Sequence, residues 1–195
     1  YTTLFRSMKL IGMRKVRDGF LKSYELTYEN KSGHEKKFEI VSHRDMTSPD
    51  ELGEKVSGVS IVAECGGRLL LLREFRMGVN REIYNLCAGM KERGETIEEC
   101  IARELYEETG LQVKCIKRIL RPSFAAVALS DIRNQIAFIE AEGDFSDHTS
   151  ENESIRAAFY TPEEVLKLLE TEDFSSRAQA VAYAFVEKYL GGSCL

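Results

Sequence analysis

The sequence predicts an α/β sandwich, a mixed sheet with helices on its faces, preceded by a small antiparallel β module. Three observations predict it. Residues 8–45 read mostly as strand, with Leu21, Tyr24, Leu26 and Tyr28 set against polar neighbours. The middle of the chain carries short runs such as "RLLLLREFR", apolar on both faces as a core strand is. Helical patterns follow over residues 96–109, from Pro162 onward and over 175–190.

The opening heptapeptide "YTTLFRS" is expected to be a non-native leader, residues 1–7, because Met8 is a sensible start. Residues 8–48 are the β module. In it "FLKSYELTYE" and "KFEIVSH" flank the turn "NKSGHE" as a hairpin. "MTSPDELGEK", with Pro49 and Gly53, is a linker-like break, and residues 54–195 form the main domain. "VSGVSIVAE" and "RLLLLREFR" make a second hairpin around "CGG". "EIYNLCAG" is one further short strand. "VKCIKRIL" and "NQIAFIEA" are two more, separated by "RPSFAAVALSDIR", a loop of small residues. "SIRAAFY" is a last strand. "PEEVLKLLE" opens on Pro162, tolerated at a helix N-terminus, and the final helix aligns Ala178, Val181, Phe185 and Tyr189 on one stripe.

Composition narrows the function. Apolar residues at 43%, charged residues at 30% and a net charge of −5 without a basic run argue against a nucleic-acid partner. The cysteine count is odd, 5, with no C-x-x-C, which argues against a zinc site or a disulfide framework. The longest apolar run, Leu69 to Leu72, is too short to span a bilayer, and no secretory signal is visible. A cytoplasmic protein without a membrane partner is expected.

The stretch "GMKERGETIEECIARELYEETGL", residues 89–111, concentrates seven glutamates against three basic residues. Thr96 with Glu99 makes a capping box, Gly110 suits the C-terminal cap, and Ile97, Ile101 and Leu105 form the apolar stripe. Glu98 and Glu99 sit in the first turn, where the helix dipole favours them. Glu104, Glu107 and Glu108 fall in the last turns, on one face, where it does not. Arg103 reaches Glu107 at i+4, but one arginine cannot neutralise three carboxylates. Most such helices are simply solvated faces. A cluster that is not solvated must raise its pKa values or hold a hard cation such as Mg2+.

The spacing decides between these. It runs Gly89, five residues, Glu95, seven residues, then Arg103-Glu104-Leu105-x-Glu107-Glu108-x-Gly110-Leu111. At average residue usage this arises by chance in well under about one in a million such chains. It matches the Nudix box at every position, and the protein resembles Nudix hydrolases. The segment "EFRMGVNREIYNLCAG", the hairpin module and "SENESIR" are similar to the ADP-ribose and nucleotide-sugar pyrophosphatase subgroup. The resemblance spans residues 24–189, most strongly in the box.

The resemblance implies metal-dependent cleavage of the diphosphate bond of ADP-ribose or a related nucleoside diphosphate sugar. The implied cofactor is Mg2+, with Mn2+ able to replace it. It implies Glu104, Glu108, Glu107 and the Ala88 carbonyl as metal ligands, and Gly89 for close approach of the loop. Arg103 would orient a catalytic glutamate, and Glu95 would tie the loop to the helix. The general base is expected at Glu151, then Glu153, with Glu107 a rival. Arg76 and Arg81 are expected on the substrate, and Phe20, Tyr24 or Tyr28 are available to stack on its base. A homodimer is also implied. Departures concern the substrate: Val127 stands where the subgroup has a proline, Asn85 where it has a glutamate, Cys87 where it has a proline, and Leu129 replaces a tyrosine of diadenosine-polyphosphate hydrolases. The alternative is a non-catalytic module that senses a nucleotide sugar.

Overall fold

The computed structural model describes residues 8–146, 148–149 and 154–191. It divides into two compact units. The first takes residues up to Ser57 together with Pro122–Asn134, and the second takes Gly58–Arg121 and Gln135 onward.

In the first unit, β1 (Lys9–Arg17), β2 (Lys22–Glu29) and β3 (Glu35–Ser42) form an antiparallel sheet in that order. Its small core is Tyr24, Leu26, Ile40 and Met46. Tyr24 is fully buried; its hydroxyl donates to the Arg44 carbonyl at 3.1 Å and accepts from the Met46 N–H at 2.7 Å. It is a core residue here and not a free stacking platform, while Phe20 is exposed beside His43. The expected linker is an ordered turn, a 3-10 segment at Pro49–Glu51 with a complete Ser48–Glu51 capping box. The loop of small residues carries the two-residue strand β9 (Ser123–Phe124). Leu129 of this loop accepts a hydrogen bond from the Val41 N–H at 2.8 Å, and Val127 is exposed.

Asp131 is the polar anchor of this unit. Burial pushes its carboxyl up, but the Arg44 guanidinium at 2.8 Å, the Ser42 hydroxyl and the Gly53 N–H outweigh that and hold it below the usual carboxylate range. Its stabilisation is therefore complete above about pH 4, the unfolded value, and drains away as pH falls through the lower folded value. Asp131→Asn is expected to lower the unfolding free energy by roughly 3 kcal/mol at neutral pH, since it leaves Arg44 without its buried partner. The variant should also lose this part of the acid sensitivity. Denaturant titrations at neutral pH and pH 3 measure both, and equal neutral stability of variant and parent would contradict this account.

The second unit holds β4 (Val56–Cys65), β5 (Arg68–Arg76), β10 (Arg133–Glu142), β8 (Gln112–Ile119) and β11 (Ile155–Tyr160), in the order β11-β5-β4-β10-β8. β4 and β10 begin in the first unit. Two glycines with positive φ, Gly66 and Gly67, turn β4 into β5. The strand expected as "EIYNLCAG" is two: β6 (Arg81–Asn85) pairs with β5, and β7 (Cys87–Met90) pairs with β4. Leu86 is the crossing point, because the chain changes partner there.

The alternation along β4 and β5 builds the sandwich. Val59, Ile61, Ala63, Leu70 and Leu72 face α1 (Ile97–Thr109), packing on Cys100, Ile101 and Leu105. Val62, Leu69 and Leu71 face the opposite way, onto Val165 of α2 (Pro162–Thr171) and Ala178, Ala182, Phe185 and Val186 of α3 (Ser176–Leu190). The "LLLL" run is buried because both faces are covered, each leucine contributing about 1.5–3 kcal/mol. The result is the expected α/β/α sandwich with its mixed sheet. On α3 the stripe is narrower than the spacing implies: Tyr189 is half-exposed, with its hydroxyl donating to Glu64 at 2.9 Å.

Candidate active site

α1 is specified as its sequence implies. The Thr96 hydroxyl accepts from the Glu99 N–H at 3.2 Å, Glu99 returns the bond to the Thr96 N–H at 2.7 Å, and Gly110 ends the helix at φ 77°. Ile101 and Leu105 anchor one face in the core. The carboxylates are carried beside β7, whose register puts Gly89 opposite Val59 and Ala88 opposite Ser60.

Arg103 ties loop and helix together. Its Nε and Nη2 donate to the two oxygens of Glu95 at 2.8 and 3.1 Å, and Nη2 also donates to the Met90 carbonyl at 2.9 Å. Nη1 bridges Glu104 at 2.8 Å and Glu107 at 3.0 Å. The guanidinium holds the Glu95 carboxyl down at about 2. Glu95 is thus the tie between loop and helix that the resemblance implied, and Arg103 is the hub of the carboxylate face.

Glu104 and Glu108 differ from the solvated glutamates. Burial pushes the Glu104 carboxyl up against the pull of Arg103, and Glu107 and Glu95 add to the rise. Burial pushes Glu108 up to about 8, opposed by the Cys87 thiol and the Ala88 N–H, with Glu104 and Glu74 adding to the rise. The Ala88 N–H donates to Glu108 at 3.1 Å. Gly89 lies so near Glu104 that a Cβ there would sit 1.8 Å from the carboxyl carbon. Ala88, Gly89, Glu104 and Glu108 are therefore brought together, and Glu107 joins through Arg103 but is exposed. A cleft of about 230 Å³ opens beside Glu108, lined also by Thr109, Ser146 and Ile155. Two larger hollows, lined largely by α3, lie apart from the carboxylates.

This donor set fits a hard divalent cation: two carboxylates short of positive charge, with backbone at close range. As the side chains stand, no three His, Cys, Asp or Glu groups among the described residues converge on one point, because Arg103 draws Glu104 and Glu107 to itself. Arg76 lies 3.6 Å from Glu74, and Arg81 donates to Asp173 at 3.0 Å, both arginines exposed. Glu151 and Glu153 lie outside the described residues.

Sequence reasoning missed Glu74. It is a buried carboxylate that contributes to the field at Glu108. The signal was present: Leu70, Leu72 and Glu74 share one face of β5, so an acid stands at an inward position of a buried strand. The Cys87 thiol against Glu108 was missed as well, and no sequence pattern marks it.

The NUDIX domain family model matches residues 54–182. The chain belongs to the NUDIX family. Among curated NUDIX relatives, the ADP-ribose pyrophosphatase of Bacillus subtilis is 26% identical over 178 residues, covering 89% of this chain and 86% of the relative. The NAD-capped RNA hydrolase NudC of Photobacterium profundum is 60% identical over 35 residues, covering 18% of this chain and 13% of that protein. NudC of Mycobacterium tuberculosis is 31% identical over 100 residues, 50% of this chain and 30% of its own length. A crystal structure of an ADP compounds hydrolase shares the fold at TM-score 0.75 and 19% identity, covering 97% of each chain. This NUDIX chain is an enzyme, a hydrolase acting on phosphorus anhydrides. Among its described residues no helix is long and apolar enough to cross a membrane.

Proposed function

We propose that this NUDIX hydrolase cleaves the diphosphate bond of ADP-ribose or a related nucleoside diphosphate sugar, giving a nucleoside monophosphate and a sugar phosphate. The observation that carries the reading is the pair Glu104, buried, and Glu108, half-buried, beside Gly89 and Ala88 with raised carboxyl pKa values. Such a pair is costly unless a cation completes it. The similarity to an ADP-ribose pyrophosphatase over 89% of this chain supports the substrate class.

Glu104, Glu108 and the Ala88 carbonyl would hold Mg2+, or Mn2+ in its place, with Glu107 directly or through water. When bound, the ion supplies charge neutralisation of the diphosphate oxygens and lowers the pKa of a water. The chain's own residues do the rest. Arg103 fixes the carboxylate face and the end of β7, the strand that presents Ala88. Arg76 and Arg81 are exposed and can grip phosphate oxygens with their forked donors. A water attacks one phosphorus, the bridging P–O bond breaks, and Glu151 takes the water's proton, with Glu153 next and Glu107 the rival. For ADP-ribose the products are AMP and ribose 5-phosphate. We place the enzyme in the cytoplasm as a homodimer, in keeping with its free cysteines and its subgroup resemblance; sedimentation of the purified chain reads the oligomer directly.

The test is a hydrolysis screen against ADP-ribose, ADP-glucose, GDP-mannose, NADH and diadenosine polyphosphates, with Mg2+ and with chelator, read by nucleotide chromatography. AMP release from ADP-ribose that stops on chelation is expected. Tight binding of one compound without turnover of any would replace this reading with the nucleotide-sugar sensor.

A further inference from the structure

We infer that Glu74 is a positioning residue for Arg76, held in place by Asn85 and Ser175. The inference rests on the proposed reading of Arg76 as a phosphate-gripping arginine.

Glu74 sits on β5 with its side chain only 7% exposed. A carboxylate that deep needs partners for both oxygens. One oxygen, Oε1, accepts from the Asn85 amide at 2.6 Å. The other, Oε2, faces the Arg76 Nη1 at 3.6 Å, an ion pair and not a hydrogen bond. Asn85 is itself fixed, because its Oδ1 accepts from the Ser175 hydroxyl at 2.6 Å. Ser175 is the N-cap of α3 and accepts from the Ala178 N–H at 3.3 Å. The chain of contacts thus runs from the end of a packed helix to a guanidinium whose side chain is 59% exposed.

The physical sense lies in the arginine. A free exposed arginine must give up several rotors when it binds. Tethered at one nitrogen by a buried, rigid carboxylate, it keeps the remaining donors of its fork for a phosphate and loses less freedom on binding. The opposing orientation of the Asn85 amide, nitrogen toward Glu74 and oxygen toward Ser175, leaves Glu74 one direction in which to place its charge. This also gives a role to Asn85, which departs from the subgroup pattern.

The experiment is a double-mutant cycle on ADP-ribose hydrolysis with Glu74→Gln, Arg76→Ala and the pair, recording KM, kcat and thermal melts. Glu74→Gln should raise KM roughly tenfold with a far smaller change in kcat. In the Arg76→Ala background it should raise KM no further, because its effect on KM travels through that arginine. Asn85→Ala, which keeps the charge but frees it, should raise KM by a smaller factor and serves if Glu74→Gln fails to melt cooperatively. An unchanged KM in these single variants, or effects that multiply in the double variant, overturns the inference and leaves the hydrolase intact. A parent chain that does not hydrolyse ADP-ribose overturns the proposed substrate, and this inference with it.

Discussion

Glu104→Gln and Glu108→Gln should each lower ADP-ribose turnover about a thousandfold while the chain stays folded. Both carboxylates are carried by α1 toward β7, and both are raised in pKa mainly by burial. An amide keeps the shape and can still accept from Arg103 at position 104, or from the Ala88 N–H at position 108. It removes the charge, and with it the hard-cation ligand. Losing a ligand that stabilises charge only in the transition state costs several kcal/mol, and each 1.36 kcal/mol is tenfold in rate. Stability should change little, since Arg103 keeps Glu95 and Glu107 as partners in Glu104→Gln, and burial already disfavours the charged form of Glu108. Initial rates with saturating Mg2+ and thermal melts of both variants and the double variant make the test. An active double variant would remove Glu104 and Glu108 from the metal assignment.

Gly89→Ala should cost about a hundredfold in turnover without replacing an ionisable group. The added Cβ would lie 1.8 to 2.0 Å from the atoms of the Glu104 carboxyl. Gly89 is paired with Val59 in the β4–β7 ladder, so the backbone resists moving and the Glu104 side chain must give way. A displaced ligand of about 1 Å is enough for an effect of this size. The melt should fall only slightly, because the displaced group is the far end of a flexible side chain. Rates and Mg2+ titrations of the variant check this: a weakened Mg2+ dependence is expected, and parent-like kinetics would show that the close approach is not required.

The helix and its chemistry were legible because local rules act over a few residues. Thr96, Glu99 and Gly110 cap by backbone geometry, and Glu104, Glu107 and Glu108 share a face by helical period. The spacing of Gly89, Glu95 and Arg103 was legible for a related reason, since one arginine must reach Glu95 and Met90 from a fixed turn of α1. The break at Leu86 was not legible. Nothing local says that β6 pairs with β5 while β7 pairs with β4. Tyr24 shows the same limit: at strand spacing a stacking ring and a core ring look alike, and burial decided for the core.

By itself the sequence determined the helices and most of the strands, the two-faced burial of Leu69 to Leu72, the carboxylate face of α1 and the enzyme family. The elements and the carboxylate face follow from periods of 2 and 3.6 residues, and the family from the resemblance of residues 89–111 to the Nudix box. Only the tertiary structure decided that Arg103 bridges Glu104 and Glu107, that Glu104 fills the space beside Gly89, and that Glu74 reaches Asn85 and Arg76. Those contacts join residues on different elements, and their distances depend on how sheet and helix pack, which no local pattern encodes.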